Sequence, residues 1–124
     1  MIVVKRMYGA LEAGQVVNPG FIESQITGML VQAASRVLKE EVKFSRTNVT
    51  SVDWVGYPIL RCSEAPEVVP VVVRRQDQPS TGVGEEVIAA AAAAIANAFF
   101  DATGARLREH PMTPPRVLAA LRRA

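Results

Sequence analysis

The chain has 124 residues, of which 49% are hydrophobic and 21% charged, and its formal net charge is +2. This is the composition of an ordinary globular protein, and we expect residues 1–124 to form one domain that buries roughly two thirds of its unfolded surface. The small net charge gives no indication of a polyanionic partner. Because Cys62 is the only cysteine and His110 the only histidine, a disulfide framework is excluded, and a zinc or iron–sulfur site ligated by this chain alone is nearly excluded.

Neither a signal peptide nor a membrane span is predicted. Residues 1–8 are short and basic, and they lack a long apolar region and a small-residue cleavage site. The longest apolar run, Val87 to Ala96, is well short of the roughly 20 residues that a membrane span needs. The compartment stays open.

The first part of the chain predicts a strand followed by a helix. Residues 2–11 begin with β-branched side chains, which favour a strand. Asn18 is a good N-cap and Pro19 suits the first helical position, so we expect a helix from Phe21 to about Leu38. Its apolar residues recur at helical spacing and predict a buried stripe, formed by Ile22, Ile26, Met29, Leu30, Ala33 and Val37.

A second line of residues follows the same helix beside the apolar stripe. Gln25, Gly28 and Gln32 stand three and four residues apart, which places them next to one another on one face. The glycine leaves room for a ligand to lie against the helix, and the amide could hydrogen-bond it. Alternatively, Gln25 satisfies a nearby backbone group and Gly28 permits a helix crossing, and spacing alone favours this second explanation.

The middle of the chain predicts strands and irregular segments. Alternating residues indicate two short strands, at 41–45 and 49–54, joined by a turn. Residues 55–66 are expected to be irregular. A strongly β-branched strand is predicted at 67–75, where Pro70 indicates an edge or a bulge.

Residues 82–86, with the sequence Gly-Val-Gly-Glu-Glu, precede the strongest helix prediction in the chain. The alanine-rich run at 87–103 has high helix propensity, and Gly104 stands where a helix stop is expected. The two glycines permit a turn that a ligand can approach closely. Glu85 and Glu86 would favour the positive end of the helix dipole, and from the residues alone this role is favoured over that of a catalytic carboxylate.

The last elements complete the predicted architecture. We expect a short strand at 105–108 and a final helix at 115–123. The resulting order, β-α-β-β-β-α-β-α, predicts an α/β or α+β fold in which helices pack on a mixed sheet.

Six short motifs then occur along the chain in a characteristic order: Glu12–Pro19, Gln25–Gly28, Tyr57–Arg61, Glu64–Glu67, Gly82–Glu85 and Ala94–Gly104. The motifs lie between residues 12 and 104, and the resemblance that they carry covers roughly residues 3–120. This pattern resembles the C-terminal part of the molybdopterin-binding large subunit of the xanthine dehydrogenase and aldehyde oxidase family. The last motif is most similar to the bacterial isoquinoline 1-oxidoreductase and nicotinate dehydrogenase branch. The resemblance implies the fold of the C-terminal molybdenum cofactor-binding domain of molybdenum hydroxylases.

The resemblance also implies roles for individual residues. Glu85 matches the general base of a reaction that hydroxylates an aldehyde or an N-heterocyclic aromatic at a molybdopterin centre. Gln25, Gly28 and Gly84 match cofactor-binding positions. The implied cofactor of the complete enzyme is the cytosine dinucleotide form of molybdopterin, and we expect the isolated chain to bind none. The implied partners are the remainder of the large subunit and an iron–sulfur subunit, without which we expect the chain to be inactive.

Two residues depart from the family pattern. Relatives usually have proline directly after the catalytic glutamate, whereas Glu86 stands here. Repulsion between adjacent carboxylates would either raise the pKa of one or turn Glu86 outward into solvent. Where relatives often carry a second glycine after the glutamine motif, Met29 is expected to narrow the space for the cofactor.

An alternative hypothesis is a non-catalytic relative that self-associates or binds a partner through the surface that the rest of the subunit would cover. A homo-oligomer would then protect exposed valine and alanine faces, because large apolar patches are unusual on monomers. Nucleic-acid binding is not expected, since the arginines are interspersed with acidic residues and match no recognised motif.

Overall fold

The computed structural model describes residues 1–124 and contains two strands, three α-helices and one short 3₁₀ turn. In chain order these are β1 (Arg6–Glu12), α1 (Pro19–Leu38), the 3₁₀ turn (Cys62–Glu64), β2 (Glu67–Val73), α2 (Glu86–Thr103) and α3 (Pro114–Leu121). The predicted fold class, α/β or α+β with helices packed on a sheet, is confirmed, but the sheet has two parallel strands and is not mixed.

The two strands form a parallel sheet, with Arg6 opposite Glu67 and Glu12 opposite Val73. Because parallel neighbours need a long crossover, α1 lies between them in the chain and packs on one face of the sheet. The packing is close at Gly9, where an added Cβ would lie 2.7 Å from Ile26 and 2.8 Å from Leu30. A larger residue at this position would therefore push the helix away from the strand.

The capping residues of α1 and α2 agree with the sequence prediction, although α1 begins at Pro19, two residues before the predicted Phe21. The Asn18 side chain accepts a hydrogen bond from the Phe21 amide at 3.4 Å, and Pro19 is the first residue of α1. At the other end of the chain, α2 stops at Gly104, whose φ of 71° is the left-handed conformation that glycine adopts without strain.

The hydrophobic core lies between the sheet, α1 and α2. The predicted stripe of α1 is buried, and α2 adds one line of residues spaced four apart: Val87, Ala91, Ile95 and Phe99. Met112 is also fully buried, and its amide donates to the Val37 carbonyl at 2.6 Å, which fixes the segment before α3 against the end of α1.

Three predicted strands are absent. The segments 41–45 and 49–54 share only one isolated antiparallel bridge, between Phe44 and Val49. Here side chains bind the nearby backbone: the Ser51 hydroxyl accepts from the Lys43 amide, which a longer ladder would use, and the Asp53 carboxylate accepts from the Gly56 amide just after the second segment. The segment 105–108 has no neighbouring strand.

The observed limits of the strands and of the final helix also differ from the predicted ones. β1 begins at Arg6 rather than at residue 2, since β2 offers no partner before Glu67, and β2 ends at Val73 rather than at residue 75. Pro70 lies in a strand with only one neighbour, as predicted for an edge position. The final helix begins one residue earlier than predicted, at Pro114.

α2 also meets a length-and-composition criterion for a membrane span, with 18 residues of mean hydropathy 1.3. One such helix is weak evidence, because the core helix of a soluble protein can meet the same criterion. The sequence prediction that the chain has no span stays a prediction.

An ion pair attaches the 3₁₀ turn to the end of α1. Lys39 Nζ lies 2.5 and 2.6 Å from the two carboxylate oxygens of Glu64, and the Arg61 amide donates to the same carboxylate at 2.9 Å. The hydrogen bond from Lys39, followed by that from Arg61, lowers the pKa of Glu64 below its ordinary value of 4.5.

We expect this pair to make stability depend on pH at the acid end. A carboxylate whose pKa is lowered in the folded state contributes stability that is present above its unfolded pKa and is lost as pH falls through the folded pKa. In Glu64→Gln the loss of melting temperature below pH 4.5 should therefore be smaller than in the wild type. Thermal melts from about pH 7 to about pH 3, a range that includes the ordinary carboxyl pKa, check this prediction. The variant Glu23→Gln, at an exposed glutamate, is the control. Identical curves for Glu64→Gln and wild type would contradict the prediction.

Candidate functional site

The candidate site lies at the edge of the sheet where both strands end. Because β1 and β2 are parallel, the loop from β1 into α1 and the loop from β2 into α2 leave the sheet on the same side. Both helices therefore begin there. In open parallel sheets this edge, outside the carboxyl ends of the strands, is the usual place for a ligand.

The two loops are joined by a set of hydrogen bonds that we call the loop clasp. It has four members: Gln15 N to Gln78 O at 2.9 Å, Thr81 N to Ala13 O at 3.2 Å, Val16 N to the Gln76 side-chain oxygen at 3.3 Å, and the Gln76 side-chain nitrogen to Val16 O at 3.3 Å. The loop clasp fixes the start of α1 relative to the turn that precedes α2.

Gly14 is the residue on which the loop clasp depends most. Its φ is +65°, and an added Cβ would lie only 2.1 Å from the Pro79 carbonyl oxygen. The Gly14 amide also donates to the Glu12 carboxylate at 2.6 Å. Gly14 lies in the first of the six sequence motifs, but no role was predicted for it. The available signal was a glycine shortly after the strand predicted at residues 2–11, which marks a tight backbone approach.

The turn before α2 separates the two adjacent glutamates. Glu86 is the first residue of α2, and its carboxylate accepts a hydrogen bond from the Gly84 amide at 2.8 Å. Glu86 is exposed, as expected if carboxylate repulsion turns it outward, and it also holds its own turn through this hydrogen bond. Glu85 is the N-cap residue, yet its side chain makes no capping hydrogen bond and is exposed. Its carboxylate is free to meet a group that lies against the turn.

On α1, Gln25 and Gly28 are exposed and lie one turn apart. An added Cβ at Gly28 would meet nothing within 4 Å, so no helix crossing within this chain explains the glycine. The neighbouring hydroxyls of Ser24 and Thr27 donate to backbone carbonyls one turn back, at 2.9 and 2.8 Å. Met29 is only 6% exposed and belongs to the core, so it does not narrow the exposed face as expected.

The four predicted site residues thus form two exposed pairs. Gly84 and Glu85 are adjacent in the turn, while Gln25 and Gly28 share one face of α1. The helices that carry the pairs pack against each other, and the loop clasp links the loops that lead into them. No hydrogen bond joins one pair to the other. No group of three or more histidine, cysteine, aspartate or glutamate side chains could hold a metal ion.

No family model matches the chain, but curated proteins are similar to it over nearly its whole length. One subunit of nicotinate dehydrogenase from Pseudomonas putida, which we call the nicotinate dehydrogenase homologue, is 48% identical over 120 residues, which cover 97% of this chain and 10% of that protein. The beta subunit of isoquinoline 1-oxidoreductase from Brevundimonas diminuta is 33% identical over 121 residues, covering 98% of this chain and 15% of that protein. The chain is homologous to one segment of molybdenum hydroxylase large subunits.

Solved structures agree with this relationship. Aldehyde oxidoreductase from Desulfovibrio gigas matches this chain with a TM-score of 0.81 and 30% identity, over 97% of this chain and 14% of that one. Quinoline 2-oxidoreductase from Pseudomonas putida 86 matches with a TM-score of 0.83 over 97% of this chain and 16% of that one, and at 23% identity it supports the fold alone. The segment spans 10% and 15% of the two curated relatives named above.

Proposed function

We propose that residues 1–124 are the C-terminal portion of a molybdenum cofactor-binding domain, in a subunit that hydroxylates an aldehyde or an N-heterocyclic aromatic. The observation that carries the proposal is that the two adjacent glutamate side chains differ in their hydrogen bonding. Glu86 holds the turn through Gly84, whereas the neighbouring Glu85 carboxylate has no such bond and is exposed. The likeness to the nicotinate dehydrogenase homologue, across 97% of the chain, supports the same role.

Glu85 is the proposed general base. A base must lie within hydrogen-bond reach of the proton that it removes, and its carboxylate must not already be occupied by a structural hydrogen bond. Glu85 meets the second condition, and its position at the carboxyl edge of the sheet puts it where a ligand approaches.

Gln25, Gly28 and Gly84 are the proposed contacts to molybdopterin, in its cytosine dinucleotide form. A glutamine amide offers two donors and one acceptor, and Gly28 leaves the helix face flat beside it. These features fit one wall of a site for a planar polar group. When bound, molybdopterin supplies the redox centre that receives electrons from the substrate.

The rest of the large subunit and an iron–sulfur subunit are the proposed partners. All four proposed site residues are exposed in this chain, so an enclosing wall has to come from elsewhere. A reaction site open to water on this scale lacks the exclusion of solvent that strengthens electrostatic interactions in enzymes. For this reason we expect the isolated chain to bind no cofactor and to have no activity.

A chimera tests the cofactor contacts. In this chimera, the present chain replaces the 120 matched residues of the nicotinate dehydrogenase homologue. The chimera is expressed together with the other subunits of that enzyme. We expect Gln25→Ala to lower the molybdopterin content per chimera, because losing a hydrogen bond of about 1.4 kcal/mol weakens binding about tenfold. Ser24→Ala, which changes an exposed neighbour on α1, should retain the cofactor. Equal molybdopterin content in the two variants would contradict the assignment of Gln25.

The alternative, a non-catalytic module that binds a partner or self-associates, has one observation in its favour. An apolar groove of about 1000 Å³ lies between β1 and α2. A groove of this kind serves either function, since it would be covered by a partner in a binding module and by the rest of the large chain in an enzyme. A chimera that assembles fully and yet has no activity would favour the binding module.

A further inference from the structure

The outer edge of β1 has no neighbouring strand. β1 pairs only with β2, and the Lys5 carbonyl accepts from the Glu67 amide at 3.0 Å. Bonding groups alternate along a strand, so Met7 and Gly9 direct their backbone groups toward β2. Tyr8 and Ala10 direct theirs to the other edge, where nothing pairs with them. An open edge of this kind is a template for another strand.

The apolar groove begins at this open edge. Its other side is α2, which contributes a line of exposed alanines four residues apart: Ala90, Ala94, Ala98 and Ala102. Leu30 of α1 and Val117 of α3 also line it. Small side chains on the helix leave space for an extended backbone and its side chains between α2 and the edge.

The topology places α2 over the position of a missing strand. α1 covers the face of the existing sheet, and α2 packs beside α1 and contacts β1. A strand added to the edge of β1 would lie about 4.7–4.9 Å from it, which is the usual spacing, and would pass under α2. The opposite face of the sheet is exposed too, with Tyr8 68% and Val71 46% exposed. If the rest of a larger protein covers this second face, the added strand would be covered on both faces, and such strands are almost continuously apolar.

We propose that the groove receives a continuous apolar segment from the remainder of the large subunit, which pairs with the open edge of β1 as a third strand. This inference rests on the proposed function. The occupant is assigned to the remainder because the homologous protein has ample chain to supply it: this chain matches only 10% of the nicotinate dehydrogenase homologue. The groove is mostly apolar, with Lys5 and Arg6 from the start of β1 and Glu86 from the start of α2 as its charged residues.

A two-piece binding experiment tests the inference. The full chain is expressed together with the nicotinate dehydrogenase homologue from which the 120 matched residues have been removed, and the second piece is captured by a tag. Ala94→Glu puts a charge into the groove and should lower co-capture at least about tenfold. Ala93→Glu is the matched control, because Ala93 is exposed on the same helix and does not line the groove. It should be captured like the wild type.

Hydrogen exchange supplies a second measurement. In the captured complex the amides of Tyr8 and Ala10 should exchange at least about tenfold more slowly than in the chain alone, because they gain strand partners. Circular dichroism of the two variants establishes that both keep α2. Unchanged capture of Ala94→Glu, or unprotected Tyr8 and Ala10 amides in the complex, would overturn the inference.

The remaining outcomes separate this inference from the proposed function. If the wild-type chain alone is a dimer and Ala94→Glu is a monomer, a second copy occupies the groove and the inference is wrong. If both variants are captured and the complex holds molybdenum, the proposed function stands and the groove assignment fails. If the wild type is not captured and the chimera is also inactive, both fail.

Discussion

Glu85→Gln in the chimera is expected to reduce turnover of nicotinate by about 10²–10⁴-fold, the usual contribution of a positioned general base. Glutamine has nearly the same shape but does not accept a proton at working pH. Because Glu85 makes no capping hydrogen bond, its replacement should leave the turn before α2 intact. The molybdopterin content of the chimera should therefore stay at the level of the parent, and the loss should lie in the catalytic step.

Glu86→Gln is the matched control for that experiment. The amide oxygen of glutamine can still accept the hydrogen bond that Gly84 now donates to Glu86 at 2.8 Å. We expect activity to stay within about fivefold of the parent, since only the charged character of one hydrogen bond is lost. Equal losses in the two variants, or full activity in Glu85→Gln, would contradict the assignment of the base to Glu85.

Gly14→Ala is expected to lower the free energy of unfolding by about 2–4 kcal/mol. Alanine at a φ of +65° is strained, and its Cβ would lie 2.1 Å from the Pro79 carbonyl oxygen, which is a backbone atom that cannot move without shifting the loop. Relief of this clash has to open the loop clasp. The same substitution should therefore also lower the activity of the chimera, because it releases the start of α1 from the turn before α2.

Gly28→Ala is the control glycine, measured with Gly14→Ala by urea unfolding of the chain. It lies inside a helix, and an added Cβ meets nothing within 4 Å. Alanine there should raise the free energy of unfolding by about 0.5–1 kcal/mol, because it has the higher helix propensity. A Gly14→Ala variant as stable as Gly28→Ala would mean that the two loops are not in close contact.

The helices were predictable because local signals determine them. Each signal lies within a few residues of the helix feature that it determines: the Asn18 cap, the apolar spacing of α1 and the stop at Gly104. The absent strands illustrate the opposite case. Residues 41–45 and 49–54 alternate as strands do, but a ladder needs neighbours, and there Ser51 and Asp53 bind the nearby backbone instead.

The candidate site was predictable only in part. The Gly-x-Gly-Glu turn and the exposed line on α1 follow from motif and spacing. Which of two adjacent glutamates is engaged depends on the direction that each side chain takes, and that is fixed by the turn that Gly84 makes. The role of Gly14 depends on Pro79, a residue far away in the sequence, so the local pattern indicates a close backbone approach but not the residue that is approached.

The central claim is that these residues serve as one segment of a molybdenum hydroxylase. The most direct test measures molybdenum content and nicotinate turnover side by side for the isolated chain and for the chimera with the nicotinate dehydrogenase homologue. We expect no molybdenum and no turnover in the isolated chain, and both in the chimera. A chimera that assembles with its partner subunits but holds no molybdenum would contradict the claim.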